Sequence, residues 1–220
     1  MPISKGKDMS ENVRSVTAIR YGESVLAESL VFKGGAGDKY LPISFTIYLL
    51  RTDSHLILVD AGCDTMPGFV MKNFYSPSKV LKEHGVAREE ITDVIITHAH
   101  HDHIEAVSYF KNAVIHIQQA EYENGRKYIP NDFTVDCFED ACVVAGCVKA
   151  VKIAGHSKGS CIVLFEMDGK KYVITGDECY ARANLEKKIP TGASVCQEKS
   201  REFVEKYGTG EYEILLCHES

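Results

Sequence analysis

The most informative segment of this chain reads Thr97-His98-Ala99-His100-His101-Asp102-His103, with four imidazoles and a carboxylate in six consecutive positions. It continues directly from residues 91–97, a run dominated by Ile and Val that is typical of a strand covered on both faces. Imidazole and carboxylate together are typical ligands of zinc, iron and manganese. A buried strand that ends in this segment therefore predicts a metal site at the edge of a sheet.

Three further residues have similar settings. His156, Asp177 and His218 each follow a short run that predicts a strand. Taken singly, each is more often a structural or surface residue than a ligand. If the strands end on one rim, however, these side chains converge on the histidine segment, and their shared setting favours a common site.

The apolar and β-branched runs predict two mixed sheets. Strands are predicted at 13–19, 24–32, 45–50, 56–59, 91–97, 114–117, 148–154, 161–166, 171–175 and 213–217, and helices at 78–84, 104–110, 120–127 and 197–206. Asp168-Gly169 predicts a hairpin turn. Strands come first, then strands mixed with helices, then strands again, which favours an α+β fold of two stacked mixed sheets with helices outside.

Composition narrows the function classes. The chain has 220 residues, 45% of them hydrophobic and 25% charged, which are values of a globular protein. Its 25 Lys and Arg against 31 Asp and Glu give a net charge of −6, which disfavours nucleic acid as a partner. No stretch approaches the roughly 20 apolar residues of a membrane span, so no membrane partner is expected.

The N-terminal residues and the cysteines predict a cytoplasmic protein. The N-terminal residues carry no apolar segment of the secretory type, so we expect a cytoplasmic location with the eight cysteines reduced. No pair is spaced C-x-x-C, which removes support for a zinc ribbon. Residues 1–12 are polar and are predicted to be flexible, and 13–220 are predicted to form a single domain.

The histidine segment resembles the H-x-H-x-D-H signature of the metallo-β-lactamase superfamily. Four further elements resemble that family in the same order: Leu58-Val59-Asp60-Ala61-Gly62, Gly155-His156-Ser157-Lys158-Gly159-Ser160, Thr175-Gly176-Asp177 and the last histidine, His218. The resemblance covers most of the chain. It implies the metallo-β-lactamase fold, a four-layer αβ/βα sandwich of two mixed β-sheets with outer helices and a site at the rim.

The resemblance also implies a ligand set for two divalent metal ions. His98, His100 and His156 would bind one ion, Asp102, His103 and His218 the other, and Asp177 would bridge them. Asp60 would orient ligands through hydrogen bonds. Zinc is the expected metal, although iron, manganese, cobalt and nickel suit the same ligands. The family does not use the position of His101 as a ligand, so His101 is expected to pack or to face solvent, as are His55, His84 and His116.

The run Asp177-Glu178-Cys179-Tyr180 is similar to the D-x-x-Y element of the N-acyl homoserine lactone lactonases. In that branch the tyrosine points at the substrate carbonyl, so Tyr180 would donate a hydrogen bond to the oxyanion. The apolar segment 66–75 contains Phe69 and Phe74, which would contact an acyl chain. Packing on the core is an equally good interpretation of this segment.

Together these features predict a metal-dependent hydrolase of small molecules that cleaves a lactone or carboxylic ester. A hydroxide bridging the two ions would attack the carbonyl carbon, and Asp102 would pass a proton to the leaving alcohol. The same centre also suits a thioester or phosphodiester. A non-catalytic metal-binding protein is the alternative from another class. The oligomeric state is left open.

Overall fold

Two mixed β-sheets stack face to face in the structure, a computed structural model that describes residues 11–219. The first sheet contains, in spatial order, β1 (Ser15–Ala27), β2 (Tyr40–Arg51), β3 (Leu56–Val59), β4 (Asp93–Ile96), β5 (Val114–Gln118) and β6 (Thr134–Phe138). The second contains β7 (Ala141–Val144), β8 (Val148–Lys152), β9 (Cys161–Met167), β10 (Lys170–Ile174) and β11 (Tyr212–Leu215). Strands β3 to β6 pair in parallel, as do β10 and β11, and all other pairs are antiparallel.

The helices are short. They are α1 (Glu28–Val31), α2 (Pro77–Glu83), α3 (His101–Ile104), α4 (Gln119–Gly125), α5 (Arg182–Glu186) and α6 (Gln197–Tyr207). Single 3-10 turns occur at Arg88–Glu90, Glu105–Tyr109, Arg126–Tyr128 and Gly176–Glu178. Helix α2 begins where the Ser76 hydroxyl accepts a hydrogen bond from Lys79 N and Pro77 fills the first position. Within residues 11–219 no helix has the length and apolar character needed to cross a bilayer.

Side-chain alternation along the strands builds three hydrophobic layers. Leu56 and Leu58 of β3 pack in the outer core of the first sheet, whereas Ile57 and Val59 pack between the sheets. In the second sheet, Val163 faces the inner layer, and its neighbours Ile162 and Leu164 face α5 and α6. Because successive strand residues point to opposite faces, each central strand contributes to two layers. This arrangement is the predicted four-layer sandwich, so the fold prediction is confirmed.

Several local predictions differ from the structure. The predicted break between 13–19 and 24–32 is an irregularity inside one long strand, because β1 pairs with β2 throughout and shifts register only between Arg20 and Gly22. Residues 28–31 form α1 rather than strand. The helix predicted at 104–110 begins earlier, at His101, and continues as a 3-10 turn. Strands β6 and β7 and helix α5 were not predicted.

The fold directs several strand ends to one rim. The parallel strands β3 and β4 end directly before Asp60 and Thr97, and the parallel strands β10 and β11 end shortly before Asp177 and His218. Carboxyl ends of neighbouring parallel strands lie at the same sheet edge, so these residues come together.

The domain organisation inferred from the sequence stays a prediction. Most of the segment 1–12 lies outside the described residues, and only its last two residues have described contacts. There Asn12 N donates to Asp53 Oδ2 at 3.2 Å, and Glu11 accepts from the Ser54 hydroxyl.

Candidate metal centre

Two groups of ligand-type side chains meet at this rim. In the first group, His98 Nε2 and His156 Nε2 lie 3.0 and 2.9 Å from His100 Nδ1. In the second, His103 Nε2 lies 3.2 Å from His218 Nε2, and Asp102 Oδ2 lies 3.5 and 3.6 Å from the same two nitrogens. Within each group the possible ligand atoms lie within 4.8 Å of one another, and Asp177 is a member of the first group.

Asp177 connects the two groups. Its Oδ1 lies 3.1 Å from His103 Nε2 and 3.0 Å from His218 Nε2. Its Oδ2 lies 3.7 Å from His98 Nε2 and 3.5 Å from His156 Nε2. One carboxylate oxygen therefore faces each group, which is the arrangement expected of a bridging ligand.

The unmet hydrogen bonding of these atoms shows that the clusters fit a metal centre. Asp177 Oδ1 is buried and receives no well-directed hydrogen bond, although two imidazole nitrogens lie close to it. Buried polar atoms normally find partners, and a nitrogen lone pair directed at another cannot form a hydrogen bond. A cation bound among these atoms would give a partner to the Asp177 oxygen and to the imidazole lone pairs.

Three of the imidazoles are oriented by a hydrogen-bond partner outside the two ligand groups. His103 Nδ1 donates to Asp60 Oδ2 at 2.7 Å, His156 Nδ1 to Ala193 O at 2.6 Å, and His218 Nδ1 to Ser44 O at 2.9 Å. With Nδ1–H used in this way, Nε2 carries the free lone pair and faces the centre. Such outward hydrogen bonds are typical of metal-binding histidines.

The Asp60 carboxylate makes hydrogen bonds on the outer side of the second ligand group. Besides His103, its carboxylate accepts from Thr97 N at 2.7 Å and from the Thr97 hydroxyl at 2.9 Å. The backbone of Asp60 is in the left-handed region with φ 62°, which turns the chain sharply at the end of β3. Asp60 thus links the end of β3 to the end of β4 and to the second ligand group.

Burial and neighbouring charges set the protonation of the cluster. Burial, reinforced by the positive charge of neighbouring histidines, lowers the pKa of His98 and of His100, so both rings are neutral. Burial would raise the pKa of Asp177, but the imidazoles of His218 and His103 outweigh it and lower that pKa well below its usual range. Burial would lower the pKa of His103 and of His218, but Asp177 outweighs it and raises both. A divalent cation bound here would therefore displace protons from these two rings.

Two buried glutamates that the sequence analysis missed hold the ligand loops. Glu121 Oε2 accepts from Ala99 N at 2.8 Å, and its Oε1 accepts from Gly159 N at 2.8 Å and from the Ser157 hydroxyl at 2.7 Å. The carboxylate therefore joins the loop of His98 and His100 to that of His156. Its partners lie 22 to 38 residues away in the chain, so no local pattern identifies it.

Glu178 supports the His156 loop from the other side. Its Oε1 accepts from Gly155 N at 3.1 Å, from His156 N at 3.2 Å and from the Ser160 hydroxyl at 2.5 Å. Burial raises the pKa of Glu178 in spite of these hydrogen bonds. Its position next to Asp177 is the one sequence signal that could have identified it.

Tyr180 lies beside the centre with its hydroxyl directed into it. The ring stacks on His218 with 5.2 Å between centroids, and the hydroxyl donates to Asp177 Oδ2 at 2.6 Å. Burial and the adjacent Asp177 raise the pKa of Tyr180 well above its usual value, so the phenol keeps its proton at neutral pH. The hydroxyl is a hydrogen-bond donor within the site.

A cavity of about 360 Å³ opens over both ligand groups. Its polar lining includes Tyr180 and five of the candidate ligands. Its apolar lining is formed by Leu26, Ile43, Phe45, Pro67 and Phe69. Of the two phenylalanines expected to contact substrate, Phe69 therefore lines the cavity, and it is 42% exposed.

The expectation for Phe74 needs correction. Phe74 packs against Tyr21, with ring centroids 6.4 Å apart, and contacts the outer core of the first sheet. It is not among the described residues that line the cavity. The segment 66–75 therefore contributes both to the cavity and to the core, because Phe69 faces the cavity and Phe74 faces the core.

The remaining histidines lie outside the two ligand groups. His101 lines the cavity, but its Nε2 lies 2.8 Å from Thr65 O, so the ring attaches the loop after β3 to α3. His84 ends α2. His55 and His116 both contact Asp93, at 2.6 and 2.9 Å.

Comparison with known proteins agrees with this geometry. A probable metallo-hydrolase of Methanocaldococcus jannaschii is 28% identical over 163 residues, which cover 74% of this chain and 70% of that protein. An N-acyl homoserine lactonase of Bacillus cereus is 26% identical over 205 residues, covering 81% of each chain.

Solved structures show the same fold. An N-acyl homoserine lactone hydrolase, with N-hexanoyl-L-homoserine bound at its catalytic metal centre, superposes with a TM-score of 0.83 at 23% identity and covers 94% of each chain. The family model of the metallo-beta-lactamase superfamily matches residues 45–218, which include every candidate ligand. This match extends over most of the chain, and the chain therefore belongs to the metallo-beta-lactamase superfamily.

Proposed function

We propose that this protein hydrolyses a lactone or carboxylic ester at a centre of two divalent ions, with zinc as the expected metal. The observation that carries the proposal is the position of Asp177, which directs one carboxylate oxygen to each group of imidazoles. His98, His100 and His156 would hold one ion, and Asp102, His103 and His218 the other. Ions bound there would polarise a carbonyl oxygen and make water nucleophilic near neutral pH.

Asp102 is the residue best placed to move a proton. It lines the cavity, and its side chain is 17% exposed, whereas the Asp177 side chain is 5% exposed. Its Oδ2 lies near the second group of imidazoles, so it can reach both a ligand position and a substrate in the cavity. We assign it the transfer of a proton to the leaving alcohol.

Tyr180 would bind the substrate carbonyl. Its hydroxyl is protonated at neutral pH and lines the cavity beside Asp177. When both Asp177 oxygens act as ligands, the hydroxyl is free to donate to a carbonyl oxygen. That bond would strengthen as negative charge develops, so it would stabilise the transition state more than bound substrate.

The apolar lining favours a substrate with a hydrocarbon part. Leu26, Ile43 and Phe69 line the same cavity as the candidate ligands, so an acyl group would pack against them while its carbonyl reaches the centre. The lactonases among the relatives support a lactone as the first substrate to test.

The test is a panel of purified substrates assayed together with metal analysis. We expect two metal ions per chain at the proposed centre, lactone or ester turnover that disappears on chelation, and recovery when zinc is restored. Thioester, phosphodiester and β-lactam substrates form the other arms of the panel. Turnover of a thioester or phosphodiester alone would reassign the substrate. Absence of turnover in the fully loaded protein would favour a non-catalytic metal-binding protein.

A further inference from the structure

A separate cluster of ligand-type side chains lies between the two sheets. It consists of His116 on β5, Asp136 on β6 and Cys142 on β7, and their possible ligand atoms all lie within 4.8 Å of one another. None of these residues belongs to the candidate metal centre. The cluster therefore needs an explanation of its own.

The strand pairing accounts for this meeting of residues. Parallel pairing of β5 with β6 places His116 beside Asp136. Ile115 and Ile117 pack in the outer core, so His116 between them points toward the second sheet. There Cys142 of β7, the edge strand, packs against the inner core. The cluster thus spans the edge strands of both sheets.

Asp93 holds the His116 ring in an orientation suited to a ligand. Asp93 is 5% exposed, and its Oδ1 lies 2.9 Å from His116 Nε2. The Nδ1 of the same ring lies 3.0 Å from Asp136 Oδ2. A metal-binding imidazole usually donates its other N–H to a carboxylate. Asp93 can accept from Nε2–H, and this leaves Nδ1 free to face Asp136 and Cys142.

We propose that His116 Nδ1, the Asp136 carboxylate and Cys142 Sγ form an additional zinc-type metal site that links the edge strands of the two sheets. Nitrogen, oxygen and thiolate sulfur are the donors that zinc accepts in tetrahedral sites. Three protein ligands leave one position, which solvent can reach because the Asp136 side chain is 54% exposed. Binding would release the thiol proton of Cys142.

The competing arrangement is an imidazolium between two carboxylates. Burial would lower the pKa of His116, but its hydrogen bonds to Asp93 and Asp136 outweigh burial and raise that pKa. In this state Nδ1 donates a proton to Asp136 and cannot bind a metal. The two arrangements are exclusive at Nδ1, so one experiment distinguishes them.

Cobalt substitution of the full-length protein is that experiment. The proposed dinuclear centre contains only nitrogen and oxygen ligands, so a thiolate-to-cobalt charge-transfer absorption would report the additional site alone. We expect this band after metal depletion and titration with Co²⁺. It should disappear in Cys142→Ser and persist in Cys137→Ser, a control in which the exposed thiol lies on the neighbouring strand β6.

Two further variants test whether loss of the cobalt band could be due to misfolding. Asp136→Asn changes an exposed side chain and should weaken cobalt binding at this site while circular dichroism is unchanged. Asp93→Asn should weaken it by about 10–100-fold, the usual effect of removing a ligand's carboxylate partner. If the wild type shows no thiolate band with its other sites loaded, the imidazolium arrangement is correct and the proposal is overturned. If the band survives in Cys142→Ser, another cysteine binds the cobalt and the proposal is overturned as well.

Discussion

Glu121 Oε2 accepts a hydrogen bond from the backbone N–H of Ala99 at 2.8 Å, between two of the candidate ligands. Its other oxygen accepts from Gly159 N, three residues after His156. A single buried carboxylate thereby sets the distance between the two loops that supply the first ligand group. Ligand geometry in this protein depends on a residue that contacts no ligand side chain in that group.

Replacing Glu121 should weaken metal binding without removing a ligand. Glu121→Gln places an amide N–H₂ where an oxygen now accepts hydrogen bonds, so one of the two loops loses its attachment. We expect metal affinity to fall by about 10–100-fold, as is usual for outer hydrogen-bond partners of ligands. Competition with a chromophoric chelator measures this. Glu123→Gln, on the exposed side of α4, is the matched control and should bind metal like the wild type.

Asp177 should be required for metal retention and activity together. Asp177→Ala removes the only carboxylate that faces both groups of imidazoles among the described residues. We expect elemental analysis to show lost metal and the assay to show lost turnover in the same preparation. Asp168→Asn, in the exposed turn between β9 and β10, should retain both. An Asp177→Ala protein that keeps its full metal content would argue against the bridging role.

Tyr180→Phe should separate chemistry from metal binding. The change removes only the hydroxyl and keeps the ring stacked on His218. Loss of one oxyanion donor lowers kcat by about 10²–10³-fold at most, and by about tenfold if a metal shares the role. Metal content should stay at the wild-type value, and Tyr40→Phe, at an exposed tyrosine, should leave kcat unchanged. Unaltered lactone turnover in Tyr180→Phe would remove the main local support for a lactone substrate.

Asp93 should make stability depend on pH in the acidic range. Burial would raise the pKa of Asp93, but hydrogen bonds from His116, His55 and Thr92 outweigh it and lower the pKa from 3.8 to about 2. A depressed carboxyl pKa stabilises the fold above the unfolded-state pKa, and this stabilisation is lost as the pH falls through the folded-state value. The shift corresponds to about 2 kcal/mol of unfolding free energy.

Asp93→Asn tests this in metal-depleted protein. Urea unfolding should show a deficit of about 2 kcal/mol relative to wild type at pH 5 to 6. The deficit should shrink once the pH drops below about 4. Asp132→Asn, at an exposed position before β6, should show no deficit. A deficit that stays constant down to pH 3 would mean that packing, rather than charge, accounts for it.

The elements that the sequence predicted well are those with a local signal. Central strands such as β3 and β4 are short runs dominated by Ile, Leu and Val, because both faces of these strands are covered. The histidine segment was evident because its ligands crowd into one loop. The edge strand β6 was missed because it mixes polar and apolar residues, including exposed Asp136. The edge strand β7 was missed because it has only four residues and lies largely at the surface, with Cys142 half-buried.

Pairings between distant residues were decided by the tertiary structure alone. The His218 ring is oriented by Ser44, 174 positions away. Glu121 joins two loops through hydrogen bonds to Ala99 and Gly159, 22 and 38 positions away, which no local pattern specifies. Phe69 and Phe74 look alike in the sequence, yet one lines the cavity and the other packs in the core. The types of ligand and their order along the chain follow from the sequence, because spacing within a loop is local. Their orientation follows from hydrogen bonds across the sheets, which exist only once the chain has folded.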